Sequence, residues 1–230
     1  MLQILYFVVY NKDMYKIPVK KIRLLNIIMF IMVVFTLIVS LFAGFFIEYI
    51  RTSVNGSSMA PTLNSTFSIT GERDIVYINR FAKVSCDDIV VLDLRNNPNF
   101  GNYAIKRLIA MEGDIVNIVW DNENRQYNLI VNDKIVESKP YKSFGYNTYD
   151  SFIQYISNHE DDSTRVCKDS NIIKGIIVKK DEVFVLGDNW DVSKDSSLVG
   201  PISKNSIVGK VDIIIKPTQN ELWTILKRIF

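Results

Sequence analysis

Tyr103 to Trp120 reads YAIKRLIAMEGDIVNIVW, two apolar runs rich in β-branched residues that break at Gly113 and Asp114. Alternation puts Ala104, Lys106, Leu108 and Ala110 on one face of the first run, and Ile105, Arg107 and Ile109 on the other. Runs of the same kind recur on both sides: DIVYIN (74–79), DIVVLDL (88–94), NLIVNDKIV (128–136), GIIVKK (175–180), EVFVLGD (182–188) and SIVGKVDIII (206–215). Each is short and bounded by Asp, Asn or Gly, the pattern of strands. They do not alternate with helical segments, so the expected fold is mainly β, a folded-sheet or barrel-like domain without βαβ units. Residues 138–171 are polar and rich in Tyr, Asp, Asn and Ser, and read as a smaller, variable excursion from the β core. Within them YDSFIQYI (149–156) suits a short helix. The C-terminal ELWTILKRIF suits either a last helix touching lipid or a plain packed terminus.

Ahead of the strands lies LLNIIMFIMVVFTLIVSLFAGFFI, residues 24–47, without a charge. As a helix it would extend about 36 Å, enough to cross a bilayer. Its apolar residues cover every face, which separates it from an amphipathic core helix. A cleaved signal peptide has an apolar core of only about 7 to 15 residues, so an uncleaved anchor is the better reading. Lys12, Lys16, Lys20, Lys21 and Arg23 precede the segment against a single Asp13, while Glu48 and Arg51 cancel after it. The positive-inside rule then makes residues 1–23 cytoplasmic, 24–47 a single-pass anchor in the cell membrane, and 48–230 extracytoplasmic. The apolar start, MLQILYFVVY, is too short to span.

A net charge of +2, with no basic stripe interleaved with aromatics, argues against nucleic acid. Cys86 and Cys167 lack metal-type spacing, and with the lone His159 they cannot complete a zinc site. Two ordinary thiols are preferred to one disulfide. No cofactor or metal is expected, and the oligomeric state is left open.

One histidine also restricts hydrolytic chemistry, because a Ser-His-Asp triad would have to use His159. NGSSMAPTL, Asn55 to Leu63, offers two adjacent serines, and a lysine can serve as their base if burial keeps it neutral. Lys106, on a face shared with apolar neighbours, is the lysine in that setting. From the end of the apolar segment to Ser58 is at most about 36 Å of extended chain, so Ser58 would work close to the membrane surface.

GSSMAPTL, IKRLIAMEGD and GDNWDVSKDSS occur in this order behind the anchor, and together they resemble the type I signal peptidases, of the Gram-positive kind, over residues 20–215. The resemblance implies Ser58, directly before Met59, as nucleophile and Lys106, of the Lys-Arg pair, as general base, with no metal. It implies that Ser193 hydrogen-bonds the Lys106 amine, that Asp188 and Asp195 hold the walls of the site through charge pairs, and that Arg107 partners one of them. The oxyanion would be held by the Ser58 N–H. A second donor carried two residues earlier in some members is missing at Gly56. The expected activity is a membrane-bound serine endopeptidase that cuts signal peptides from secreted preproteins after small residues. Trp190 stands where an arginine is common, Val192 where an asparagine is, Ser197 where an arginine tends to follow Asp-Ser, and AMEGD replaces the more usual GLPGD. Those departures support the alternative, a catalytically impaired, membrane-tethered β-domain that binds secretory chains or a partner. Self-cleaving repressors share a Ser-Lys dyad, but carry a DNA-binding domain where this chain has its apolar segment.

Overall fold

The computed structural model describes residues 19–63, 73–100, 102–136, 146–169 and 172–229. The chain forms two compact units, Met1–Ile47 and Glu48–Phe230. In the first, helix α1 (Val19–Glu48) contains the uncharged segment and is long and apolar enough to cross a membrane. The run MLQILYFVVY lies outside the described residues.

The second unit is mainly β. Strands β1 (Tyr49–Ser53), β2 (Ile75–Asn79), β3 (Ile89–Asp93), β4 (Tyr103–Met111), β10 (Glu182–Leu186), β11 (Ile202–Ser203) and β12 (Ile207–Ile215) form an antiparallel sheet in the order β1-β2-β12-β3-β4-β10-β11. A second sheet orders β7 (Lys134–Ile135), β6 (Gln126–Val131), β5 (Ile115–Asp121), β9 (Ile172–Ile177) and β8 (Val166–Asp169). The stretch from Tyr103 to Trp120 joins the two, β4 in one and β5 in the other. Between them Gly113 takes a φ of 89°, and the Asp114 carboxylate accepts the Met111 N–H at 2.8 Å.

The expected strands form, with three differences. NLIVNDKIV is a hairpin and not one strand: Asn132 and Asp133 adopt φ of 51° and 62°, the left-handed pair that a two-residue turn requires. Strict alternation in β4 ends at Ile109, an extra residue in the pairing with β10, where Val185 faces Leu108 and Phe184 faces Ala110. Leu108 therefore joins one apolar cluster, while Ile109 and Ala110 both join another. The excursion is also less detached than its polarity suggests. Its helix α2 (Tyr146–Asn158) buries Phe152, Tyr155 and Ile156 against Phe184 and Trp190, and β8 adds Val166 to the same cluster. Helix α3 (Glu221–Ile229) follows β12, with Glu221 bonded to Arg51 and Tyr77. Cys86 and Cys167 are free thiols.

Candidate active site

The loop Asn55–Leu63 leaves β1 and is held from below by its own apolar residues. Met59 and Leu63, 2% and 0% exposed, pack with Val54, Val76 and Ile78. Met59 thus anchors the loop and leaves Ser57 and Ser58 at the wall of a groove of about 680 Å³. Gly56, at φ 82°, makes the turn that a side chain would strain.

Lys106 reaches the same groove from the middle of β4, where it pairs with Val90 of β3. It is only 4% exposed. Burial pushes its pKa down from that of a free lysine, while Asp195 and then Asp188 pull it back up. A serine hydroxyl and a buried amine therefore line one cavity, the amine biased toward its neutral form. The other walls are largely apolar: Ile50 of β1, Ile78, Val91, Ala104 and Val208.

The third stretch, from Gly187 to Ser197, closes the site. Asn189 donates its backbone N–H to the Ser58 carbonyl at 2.9 Å and its side-chain N–H to the Ser57 carbonyl at 3.1 Å. Gly187 lies so near that a Cβ there would meet the Ser58 carbonyl oxygen at 2.4 Å and the Ser193 Oγ at 2.2 Å. The Ser193 Oγ is buried and makes no hydrogen bond, so the expected bond to the Lys106 amine is not formed. Arg107 forks onto Asp188, Nε to Oδ1 at 2.9 Å and Nη2 to Oδ2 at 2.7 Å, and its other nitrogen reaches the Asp87 carbonyl at 2.8 Å.

Asp195, fully buried, is held differently. Its Oδ2 accepts the Gly187 N–H at 2.9 Å, and its Oδ1 accepts the Ser197 N–H and O–H at 3.1 and 2.8 Å. No Lys or Arg among the described residues forms an ion pair with it. A charge pair thus holds one wall, and neutral donors hold the other. Trp190 is fully buried in the cluster with Phe152 and Phe184, and its carbonyl accepts the Thr148 hydroxyl at 2.7 Å, fastening α2 to this stretch. Val192 remains 58% exposed at the groove's rim.

Some of the site escapes a motif reading. The Thr62 hydroxyl donates to Asp188 at 2.5 Å, and Lys216 donates to the Thr62 carbonyl at 2.8 Å while pairing with buried Asp74 at 2.6 Å. Thr62 sits inside a quoted motif with nothing to mark its role, and Lys216 only follows an apolar strand. Among the described residues no group of three or more His, Cys, Asp or Glu side chains gathers as metal ligands do.

The profile of the family described as signal peptidase, peptidase S26, matches residues 23–216, most of the chain. The chain belongs to the signal peptidase S26 family. It is 28% identical over 203 residues to signal peptidase I U of Bacillus subtilis (strain 168), covering 88% of this chain and 90% of that one. It is 32% identical over 169 residues to signal peptidase IB of Staphylococcus aureus (strain N315), covering 72% of this chain and 76% of the relative. A crystal structure of a signal peptidase I from Enterococcus faecalis V583 aligns with a TM-score of 0.35 at 22% identity, over 57% of this chain and 98% of that one. As a signal peptidase, the chain is a protease that removes signal peptides.

Proposed function

We propose that this signal peptidase is a membrane-anchored serine endopeptidase in which Ser58 is the nucleophile and Lys106 the general base. One observation carries the reading: Lys106 is buried in the groove that Ser58 lines, where desolvation lowers its pKa. Neutral Lys106 takes the Ser58 proton as Oγ attacks the scissile carbonyl, and the tetrahedral oxyanion is met by the Ser58 N–H. Collapse breaks the peptide bond, Lys106 gives its proton to the leaving amine, and an acyl-enzyme remains. Water, deprotonated by Lys106, then attacks the ester carbonyl; the bond to Oγ breaks, the new C-terminal carboxyl group leaves, and Lys106 returns the proton to the Ser58 Oγ.

Strand β1 is an edge of the seven-stranded sheet, and its Ile50, Thr52 and Ser53 line the groove. An extended substrate adds to such an edge through main-chain bonds, with small side chains set into the apolar wall. That suits a signal peptide ending in small residues. With α1 as anchor, the N-terminus lies in the cytoplasm and the catalytic domain outside the plasma membrane, where the cut site of an exported preprotein emerges.

The test is cleavage of a purified preprotein in detergent or lipid by wild type, Ser58→Ala, Ser57→Ala and Lys106→Ala, with the new N-terminus sequenced. Cleavage after a small residue, lost in Ser58→Ala and Lys106→Ala and kept in Ser57→Ala, is the expected result. Retention in Ser58→Ala would remove Ser58 as nucleophile.

A further inference from the structure

The Ser58 loop is tied at its two ends to an ion pair, Asp74 and Lys216, that lies outside every motif. At its entry, the Val54 N–H donates to the Asp74 carbonyl at 2.9 Å. At its exit, Lys216 holds the Thr62 carbonyl at 2.8 Å and the Asp74 carboxylate at 2.6 Å. Asp74 is fully buried and directly precedes β2, and Lys216 directly follows β12, the neighbour of β2 in the sheet. Lysines ordinarily leave their ammonium in water. Here a flexible side chain is held on two acceptors, one of them a backbone carbonyl of the loop.

The tie continues toward the base. The Thr62 hydroxyl bonds Asp188, which Arg107 forks, and Arg107 is the neighbour of Lys106 in β4. A connected path of Asp74, Lys216, Thr62, Asp188 and Arg107 therefore runs from the loop that carries Ser58 to the strand that carries Lys106. A reaction between two side chains on separate elements depends on their separation to a fraction of an ångström.

We propose that Lys216 is a positioning residue of the active site, which sets the Ser58 loop against β4 by holding the Thr62 carbonyl while paired with Asp74. The proposal rests on the Ser58 and Lys106 reading above. It distinguishes two roles of one ammonium: neutralising Asp74 governs stability, and holding Thr62 governs the rate.

The experiment compares wild type, Lys216→Met, Lys216→Arg and the double variant Asp74→Asn/Lys216→Met in full-length protein. The measurements are kcat and KM on a preprotein, the melting temperature, and hydrogen exchange of the segment from Met59 to Leu63, where the Leu63 N–H bonds the Met59 carbonyl. Lys216→Met is expected to lower kcat about ten- to a hundredfold with little change in KM, and to speed exchange in that segment. Lys216→Arg, able to reach both acceptors, is expected to keep most of the rate. In the double variant no buried charge is left alone, so its melting temperature should recover while kcat stays low. Recovery of both, or a wild-type kcat in folded Lys216→Met, would overturn the proposal. If wild type itself cleaves no preprotein, the Ser58 and Lys106 reading fails, and unchanged exchange in Lys216→Met would separately overturn the positioning role.

Discussion

Gly187→Ala is the sharpest perturbation of the site, because the clash it creates can be measured. The added Cβ would lie 2.4 Å from the Ser58 carbonyl oxygen, and 2.2 and 2.7 Å from the Oγ and Cβ of Ser193. Nonbonded contacts settle near about 3.5 Å, so relief requires a displacement of roughly 1 Å. Ser193 can turn its hydroxyl aside but cannot so easily move its Cβ. The Ser58 carbonyl is held by the Asn189 N–H at 2.9 Å, so the strain passes to the peptide that bears Ser58, the proposed nucleophile. A shift of that size in a reacting group costs about a hundredfold in rate. Overpacking at one site costs about 1–3 kcal/mol against a usual stability of about 5–15 kcal/mol, so the variant should remain folded. The assay is preprotein cleavage at the pH of wild-type maximum, with a thermal melt of the same sample. A folded Gly187→Ala protein with kcat within about threefold of wild type would refute the reasoning.

Three further outcomes follow from burial. Activity should fall as pH drops through the lowered pKa of Lys106, since the protonated amine cannot act as base, and Asp195→Asn, by removing the larger carboxylate influence, should move this limb to lower pH; an unmoved limb would count against the assignment. Because the folded protein releases this proton at lower pH than the unfolded chain, stability contributed by Lys106 should rise with pH between its lowered pKa and lysine's ordinary value, and Lys106→Met should lose that slope. Trp190→Ala, at a fully buried position, should cost about 3–5 kcal/mol, read as a lower urea midpoint at unchanged slope.

How much of this was legible in the sequence depends on how local each cause is. The β runs were readable because period-two burial and turn residues are local, and the same holds for YDSFIQYI within α2. Strand β1 was not: YIRTS is short and mostly exposed, and its place is fixed by pairing with β2. The short β8, VCKD, likewise owes its state to β9. The bulge at Ile109 depends on what β10 presents opposite it. In the site, Ser58, Lys106, Ser193 and the Asp pair were reachable by motif. The Thr62, Lys216 and Asp74 ties join residues as much as 154 apart in sequence, and nothing near any of them announces the partner.

The altered third stretch bears on the alternative of an impaired binding domain. Trp190, in place of a common arginine, contributes apolar packing that fastens α2 to the site, so the wall is rebuilt and not removed. Ser197 does something subtler. Where an arginine would set a full positive charge beside Asp195, Ser197 supplies an N–H and an O–H, and Gly187 a further N–H. Those dipoles satisfy the carboxylate without cancelling its charge. Asp195 is then left to act on Lys106, and it is the larger of the two influences that raise the pKa of the amine against burial. On the proposed reading, the departure at Ser197 therefore reaches Lys106: it leaves Asp195 to oppose the desolvation that lowers the pKa of the amine, and with that bears on the pH at which Lys106 could take a proton from Ser58.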